Sequence, residues 1–181
     1  MQKRLFICIS VPEDVKKRIF RVVQKEYGDL PVKWTSQSNL HLTLNFLGYT
    51  PEEKIPELCE VVRSAVSGAP SFELNFSKFD FGPNKTAKKM VWAVGERSEE
   101  LENIKYALDR SFCFVLPEKH SFLPHITLGR IRKNLWEKTC PDADIEKNFS
   151  FSFPVSSVEL LESRFEKGKR VYYIMETFPL N

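Results

Sequence analysis

Two short copies of one pattern carry the residues of this chain that are best suited to acid–base chemistry. His41–Leu44 reads HLTL and His125–Leu128 reads HITL, so each copy is His-x-Thr-Leu with an apolar second residue. The chain has three histidines, and two of them open these copies. Histidine has an ordinary pKa of about 6.5, so both of its protonation states are populated near neutral pH. The sequence therefore offers two matched acid–base groups, each with a hydroxyl two residues away.

A pair of imidazoles and a pair of hydroxyls suit proton transfer around a phosphoryl group. One imidazole takes a proton from the attacking oxygen, while the other, as imidazolium, gives a proton to the leaving oxygen. The threonine hydroxyls donate hydrogen bonds to the non-bridging phosphoryl oxygens as negative charge builds there. We expect this chemistry to need no metal and no cofactor.

The first copy is predicted to lie on a strand, where residues i and i+2 share a face. His41 and Thr43 then point to one side of the sheet, and the same alternation adds Asn45 to that side. Phe46 is predicted to point to the core side, together with the leucines of the copy. As an aromatic residue Phe46 is also a candidate base-stacking platform, like Trp34 further upstream.

The second copy follows the same rule. His125 and Thr127 are predicted to share a face. Arg130 ends this segment, and its guanidinium suits phosphate binding. Strict alternation nevertheless puts Arg130 on the opposite face, so that it needs a bulge or a strand end to reach the histidine side.

The elements around the two copies predict an α+β fold. The chain reads β-α-β-β-α, then β-β-α-β, then β-β, with the copies on strands over Leu40–Leu47 and Leu123–Arg130. Thr50–Glu53 has the form of a capping box for the second helix, and Phe149–Leu161 and Val171–Phe178 read as two final strands. Each half offers a helix beside a strand with a His-x-Thr copy. We therefore predict a bilobal arrangement, in which two pseudo-symmetric lobes face each other across a central cleft.

Composition narrows the class of protein. The 181 residues are 42% hydrophobic and 28% charged, an ordinary globular balance, and the net charge of +3 permits an anionic substrate without demonstrating nucleic-acid binding. The four cysteines form no C-x-x-C pair, which favours free thiols in a reducing compartment. The sequence shows neither a signal-peptide core nor an apolar stretch of about 20 residues. We expect a cytoplasmic protein that does not span a membrane.

The strings HLTLNFLG (41–48) and HITLGR (125–130), with Trp34 upstream, resemble the two-histidine (2H) phosphoesterase superfamily. Within it they resemble the bacterial and archaeal RNA 2′,3′-cyclic phosphodiesterases, also called 2′-5′ RNA ligases. The resemblance covers nearly the whole chain and implies a single domain over residues 1–181, with the antiparallel two-lobed fold of that superfamily. It also implies hydrolysis of 2′,3′-cyclic phosphate ends of RNA or nucleotides to 2′-phosphomonoesters. Run backwards, the same chemistry would join such an end to a 5′ hydroxyl without ATP.

The resemblance also implies roles for individual residues. His41 would donate a proton to the departing 3′ oxygen, and His125 would accept a proton from the attacking water. Thr43 and Thr127, with Arg130, would bind the phosphate. The residues alone leave open which histidine is the acid and which is the base. The expected partner is RNA or a nucleotide with a cyclic end, tRNA-derived ends included, and the expected active unit is a monomer.

Several alternatives stay open at the level of sequence. A zinc site would need further ligands beside the two histidines, and neither the separate cysteines nor Asp80 shows ligand spacing. A cysteine–histidine nucleophile is weakly supported, because Cys140 alone lies in a polar segment. Another 2H activity, on small cyclic nucleotides or 2′-5′ oligonucleotides, or a non-catalytic nucleotide-binding module would use the same pocket. His120 has no threonine two residues on and is interpreted as a surface residue. Basic residues that could line an RNA path, or equally form a solvated surface, are Lys85, Lys88, Lys89, Arg164, Lys167, Lys169 and Arg170.

Overall fold

A computed structural model describes residues 1–84, 86, 88–112 and 122–181 of the chain. Within these residues the strands are β1 (Gln2–Ser10), β2 (Val32–Trp34), β3 (His41–Pro51), β4 (Phe72–Gly82), β5 (Met90–Gly95), β6 (His125–Ile131), β7 (Lys147–Val155), β8 (Ser157–Glu166) and β9 (Lys169–Pro179). The helices are α1 (Glu13–Tyr27), α2 (Ile55–Val66), α3 (Glu99–Ser111) and α4 (Lys133–Thr139). The predicted α+β class is confirmed.

The helices form where the sequence supplies an apolar stripe and a start signal. In α1, Val15, Ile19 and Val23 recur at intervals of four residues and are buried, so that one side of the helix faces the core. In α3, the Ser98 hydroxyl accepts a hydrogen bond of 3.2 Å from the N–H of Leu101 and caps the helix. Both helices carry acidic residues in the first turn, where the helix dipole favours negative charge.

The strands pair in the order β7-β4-β5-β6-β3-β1-β8-β9, and β2 pairs with β6. The described pairings are antiparallel. Between β3 and β6 the register contains one residue pair, Leu42 with Ile126. The sheet is thus divided at its centre into two four-stranded lobes, β7-β4-β5-β6 and β3-β1-β8-β9. Each lobe places a His-x-Thr strand at its inner edge, which confirms the predicted bilobal arrangement.

One face of both lobes is covered by helices. Side chains of α1, α2 and α3 share a single apolar cluster with the core-facing residues of β1, β3, β5 and β6, among them Ile7, Leu42 and Ile126. On β1 the two neighbours of Ile7, Phe6 and Cys8, belong to a second, smaller cluster on the opposite face of the sheet. We call this opposite face, which both lobes expose to each other, the cleft face.

Three local predictions were wrong. The segment Phe149–Leu161 contains two strands, because the chain leaves its partner β4 at Val155 and, from Ser157, pairs with β1 and β9. The alternation of apolar residues changes phase here, from odd positions up to Val155 to even positions from Val158, and this break coincides with the change of partner. The strand predicted over Leu40–Leu47 does not end at Leu47, because β3 continues through Gly48 to Pro51. Thr50–Glu53 is no capping box, because α2 begins only at Ile55, which places Pro56 in its first turn.

Within the described part of the chain, none of the helices has the length and apolar character needed to cross a membrane. Three of the four cysteines, Cys8, Cys59 and Cys140, are free thiols there. Cys113 lies outside the described residues.

Candidate active site

The two His-x-Thr copies lie on the central strands β3 and β6 and are related by the register between them. Because Leu42 is paired with Ile126 in an antiparallel manner, His41 lies across from Thr127 and Thr43 lies across from His125. A local two-fold axis passes through the Leu42–Ile126 pair. The sheet thus brings together, on its cleft face, the four side chains that the sequence singled out.

Both copies contain a β-bulge at their leucine. Cys8 pairs with Thr43 and Ile7 with Asn45, so that Leu44 is an extra residue in β3. Trp92 pairs with Thr127 and Val91 with Gly129, so that Leu128 is an extra residue in β6. A bulge inserts one residue and reverses the alternation beyond it. The residues directly after each copy therefore lie on the opposite face from the one that strict alternation predicts. In β3 a second bulge, at Leu47, restores the original alternation from Gly48 onward.

The bulge in β3 overturns the predicted positions of Asn45 and Phe46. Asn45 pairs with the core residue Ile7, is buried, and donates a hydrogen bond of 2.6 Å from Nδ2 to Oδ1 of Asp109 on α3. The prediction that Asn45 shares a face with His41 was wrong. Phe46 pairs with Phe6 on the cleft face, where its side chain is 70% exposed. The prediction that Phe46 points to the core was also wrong.

The bulge in β6 supplies the condition under which Arg130 reaches the cleft. Arg130 pairs with Met90, which lies two residues from Trp92 and so shares its face. Trp92 in turn pairs with Thr127 and stacks on His125. Arg130 therefore lies on the same face as the second histidine and is exposed there.

His41 is held by contacts on three sides. Its Nδ1 lies 2.7 Å from the carbonyl oxygen of Asn39, and its Nε2 lies 3.0 Å from Oγ1 of Thr43. The ring of Tyr172 meets the imidazole edge-on at 5.2 Å, and the ring of Phe6 lies at 5.0 Å. Asn39 is itself fixed, because its Nδ2 donates a hydrogen bond of 2.7 Å to the carbonyl oxygen of Arg170 on β9.

His125 repeats part of this arrangement with a different aromatic support. Its Nδ1 lies 2.9 Å from the carbonyl oxygen of Leu123, two residues earlier in the chain. Its imidazole stacks on the indole of Trp92, with 3.8 Å between the ring centroids and an interplanar angle of 22°. The indole also packs closely on Gly82 of β4, where a Cβ would come within 2.2 Å of it.

The backbone contacts fix which nitrogen of each imidazole faces the cleft. A carbonyl oxygen can only accept a hydrogen bond, so Nδ1 of both His41 and His125 carries the proton and donates it. Nε2 of each ring is then the nitrogen that gains or loses a proton. In both copies the carbonyl belongs to the residue two positions before the histidine. The two imidazoles are therefore presented in the same tautomer.

Burial lowers the pKa of both histidines below the ordinary value of about 6.5, because a partly buried imidazolium loses hydration. For His41 the hydrogen bond to Asn39 raises the pKa, and the nearby charges of Lys16 and His125 lower it further. For His125 the hydrogen bond to Leu123 raises the pKa. The two rings are thus close enough for the charge of one to disfavour the charge of the other.

The other candidate residues fall into separate groups. Trp34 pairs with Gly129 and packs against the main core, so it is not available as a stacking platform on the cleft face. Arg170 lies on the cleft face with Tyr172, whereas Arg164 is two residues from Glu162, on the other side of the sheet, and donates to it at 2.8 Å. Lys85 and His120 lie outside the described residues. Among the side chains that the structure describes, no group of three or more His, Cys, Asp or Glu residues converges to hold a metal ion.

Sequence reasoning missed two aromatic residues that support the histidines. Trp92 and Tyr172 lie far from the copies in the chain, and nothing in their strand patterns marks a contact with His41 or His125. For the bulges a signal did exist at Gly129, because an isolated glycine within a strand pattern is typical of a bulge or a close approach. A Cβ at Gly129 would lie 2.5 Å from Val32.

Comparison with known proteins places the chain in a family. The family model described as LigT like Phosphoesterase matches residues 9–92, which include the first copy. An RNA 2′,3′-cyclic phosphodiesterase of Thermotoga maritima is 35% identical over 147 residues, which are 78% of this chain and 78% of that protein. A protein of the same name from Archaeoglobus fulgidus is 30% identical over 150 residues, 81% of each chain.

Solved structures share the fold along the whole chain. The crystal structure of TT0787 of Thermus thermophilus superposes with a TM-score of 0.80 and 25% identity, and covers 98% of this chain and 97% of that one. The structure of E. coli LigT complexed with phosphate superposes with a TM-score of 0.78 and 23% identity, and covers 99% and 98% of the two chains. Both sequence similarity and fold agree with the resemblance of the two copies. The chain belongs to the LigT-like phosphoesterase family.

Proposed function

We propose that this protein hydrolyses the 2′,3′-cyclic phosphate at the end of RNA or of a nucleotide to a 2′-phosphomonoester, with His41 and His125 as the acid–base pair. The observation that carries the proposal is the matched presentation of the two imidazoles, each held through Nδ1 on a backbone carbonyl. Nε2 of each ring is then the nitrogen that exchanges a proton, and in His41 it also contacts the hydroxyl of Thr43. The names of the relatives from Thermotoga maritima and Archaeoglobus fulgidus support this reaction class. The proposal needs no metal ion, because each proton has a donor or an acceptor among the side chains.

The mechanism follows from the protonation states. Neutral His125 accepts a proton at Nε2 from the attacking water, and protonated His41 gives a proton from Nε2 to the leaving 3′ oxygen. One P–O bond forms to the water oxygen and one P–O bond to the 3′ oxygen breaks, so that the phosphate stays on the 2′ oxygen. The Thr43 and Thr127 hydroxyls donate to the non-bridging oxygens, and Arg130 adds positive charge.

The lowered pKa of His125 supports its role as the base, because it keeps the ring neutral near pH 7. The lowered pKa of His41 disfavours the protonated form that an acid needs. The bound phosphate carries negative charge and opposes this effect, since an anion beside an imidazole favours the imidazolium. Substrate binding would therefore charge His41 at the time when its proton is required.

Other features of the site bear on the substrate and the active unit. Phe46 is exposed on the cleft face and offers its ring to the terminal base; the ring of Phe6 lies between it and His41, 6.3 Å from Phe46 and 5.0 Å from the imidazole. Both half-sites come from residues 1–181 of one chain, which supports a single domain that acts as a monomer. Ligation to a 2′-5′ linkage would be the reverse of the same reaction and, like a tRNA-derived substrate and a cytoplasmic location, stays a prediction.

The test is to incubate the protein with EDTA and a 2′,3′-cyclic mononucleotide, and to identify the monoester formed. We expect the 2′ isomer, and a loss of at least about 100-fold in kcat in His41→Ala and in His125→Ala, since general acid–base catalysis contributes about 10²–10⁴-fold. Full activity in either variant, or formation of the 3′ isomer, would refute the proposed mechanism. Activity that disappears in EDTA and returns with a metal ion would show that the metal-independent route is wrong.

A further inference from the structure

Two aromatic side chains stand exposed in a row along β3, beyond the proposed catalytic pair. Phe46 is 70% exposed and Tyr49 is 71% exposed. The register puts both on the cleft face, because Phe46 pairs with Phe6 and Tyr49 pairs with Arg4, two residues before Phe6 on β1. Neighbouring large apolar side chains that stay exposed on one face mark an interaction surface more often than isolated ones do.

Arginines lie on the same face as these rings. Arg4 is directly opposite Tyr49, and Arg170 is two residues from Tyr172 on β9. Arg170 also donates a hydrogen bond of 2.8 Å from Nη1 to Oγ of Ser163. The positive charges of Arg4, Arg130 and Arg170 all act on the hydroxyl of Tyr172 and favour its ionised form, although burial raises its pKa overall. The register places all three arginines on the cleft face, the same face as Tyr172.

Negative charge on this face is scarce. Among the positions of β1, β3, β8 and β9 that the register assigns to the cleft face, Glu159 is the one carboxylate. Its Oε2 accepts a hydrogen bond of 3.0 Å from the N–H of Ser10, and its Oε1 accepts one of 2.7 Å from the hydroxyl of Ser157. The cleft face of this lobe thus carries an excess of positive charge, which complements a phosphodiester chain.

We propose that Tyr49 and Arg4 form a second nucleotide subsite, which binds the nucleotide on the 5′ side of the cyclic end in a single-stranded RNA. The inference rests on the proposed function, because the hydrolysed phosphate at His41 and His125 sets the position of the RNA end. Tyr49 stacks on the base of that nucleotide, and Arg4 binds the phosphodiester that follows it. The subsite makes RNA oligomers better substrates than mononucleotides.

Geometry separates this subsite from the one at Phe46. Leu47 is an extra residue in β3, so Phe46 and Tyr49 lie opposite Phe6 and Arg4, two residues apart on β1 and about 7 Å along the strand. Tyr49 lies on the side of Phe46 that points away from His41, so we assign to it the base of the nucleotide next to the terminal one. Base stacking on an aromatic ring tolerates any base, and arginine beside it supplies the charge that single-strand binders use along the backbone.

The opposite face of the same sheet provides matched controls. Tyr173 is an exposed tyrosine there, and its hydroxyl donates to both carboxylate oxygens of Glu166 at 3.1 Å. Arg164 is an exposed arginine on that face, and its guanidinium lies 4.6 Å from the centre of the Tyr173 ring. Substitution of these two residues changes the same side-chain types without changing the cleft face.

The experiment compares kcat/KM for adenosine 2′,3′-cyclic phosphate with kcat/KM for a dinucleotide that ends in the same group. Stacking of one base contributes about 1–3 kcal/mol, so Tyr49→Ala should lower kcat/KM on the dinucleotide by about tenfold or more and leave the mononucleotide unchanged. Arg4→Gln should act in the same direction and weaken the salt dependence. The control variants Tyr173→Ala and Arg164→Gln should leave kcat/KM unchanged on both substrates. Equal losses on both substrates, or no loss on the dinucleotide, would overturn the subsite.

A binding measurement separates this inference from the proposed function. Fluorescence anisotropy with a labelled single-stranded oligonucleotide that ends in a 2′-phosphate needs no turnover. Wild-type protein that hydrolyses neither substrate would refute the proposed function. Weaker binding confined to Tyr49→Ala and Arg4→Gln would still support the subsite, whereas equal binding by these variants, the controls and the wild type would overturn it. Thermal unfolding of each variant checks that the exposed substitutions leave the fold intact.

Discussion

Gly82→Ala is expected to slow catalysis strongly, although Gly82 lies on β4 and is two strands away from His125. A Cβ at this position would lie 2.2 Å from Cε2 and 2.3 Å from Cδ2 of Trp92. Carbon atoms in ordinary contact are about 3.5 Å apart. The indole must therefore move by about 1.3 Å, the difference between 3.5 Å and 2.2 Å.

The displacement reaches His125 because its imidazole stacks on the same indole at 3.8 Å. β4 and β6 flank β5 on opposite sides, so Gly82 and His125 contact the indole of Trp92 from opposite sides. A misplacement of about 1 Å in a catalytic constellation costs about 100-fold in rate. This corresponds to about 2.7 kcal/mol in activation free energy. Overpacking should also lower the free energy of unfolding by about 1–3 kcal/mol.

The assay is kcat/KM on a 2′,3′-cyclic mononucleotide, measured well below the unfolding midpoint of the variant. Gly168→Ala is the matched control, because Gly168 has a φ of +78° in the turn before β9 and open space around its Cα. This substitution should lower the free energy of unfolding by about 1 kcal/mol through backbone strain and leave kcat/KM unchanged. If Gly82→Ala retained activity within about twofold of the wild type, the idea that Trp92 positions His125 would be wrong.

Three further outcomes follow from the site and its support. Activity should be greatest on the acidic side of pH 6.5, because both histidines have a lowered pKa. As the pH increases, kcat/KM should rise through the pKa of His125, which must be neutral, and fall through the pKa of His41, which must be protonated. A pH profile with its maximum above about 7.5 would contradict these roles. Thr43→Val keeps the shape of the side chain and removes the hydroxyl bonded to Nε2, so kcat should fall by about 10–100-fold, whereas Thr50→Val in the same strand should have no effect in the same kinetic assay. Asp109→Ala leaves the buried amide of Asn45 and the ammonium of Lys105 without their shared acceptor, so urea unfolding should report a loss of about 2–4 kcal/mol in the free energy of unfolding. A loss below about 0.5 kcal/mol would show that this buried contact is not important for stability.

Local patterns were sufficient to predict the strands that carry the proposed catalytic pair. His41 and Thr43, like His125 and Thr127, lie on the N-terminal side of a bulge, where simple alternation still holds. The helices α1 and α3 were predictable for a similar reason, because their apolar stripes and start signals lie within one stretch of chain. Each of these features depends on neighbours within a few residues.

Features that depend on the partner strand were not predictable in the same way. The bulges at Leu44 and Leu128 are defined by the pairing of β3 with β1 and of β6 with β5. They reverse the faces of Asn45, Phe46 and Arg130. The division of Phe149–Leu161 into two strands likewise results from a change of partner.

By itself the sequence determined the family, and it singled out His41 and His125 as the proposed catalytic pair together with the threonines that accompany them. Each copy of His-x-Thr forms its half-site from residues within one short stretch of strand, so the segments between the copies do not affect it. Only the tertiary structure decided that the half-sites meet across the Leu42–Ile126 pair, and that Trp92 and Tyr172 support the imidazoles. These contacts join residues far apart in the chain, and their geometry is set by the packing of whole strands rather than by any local preference.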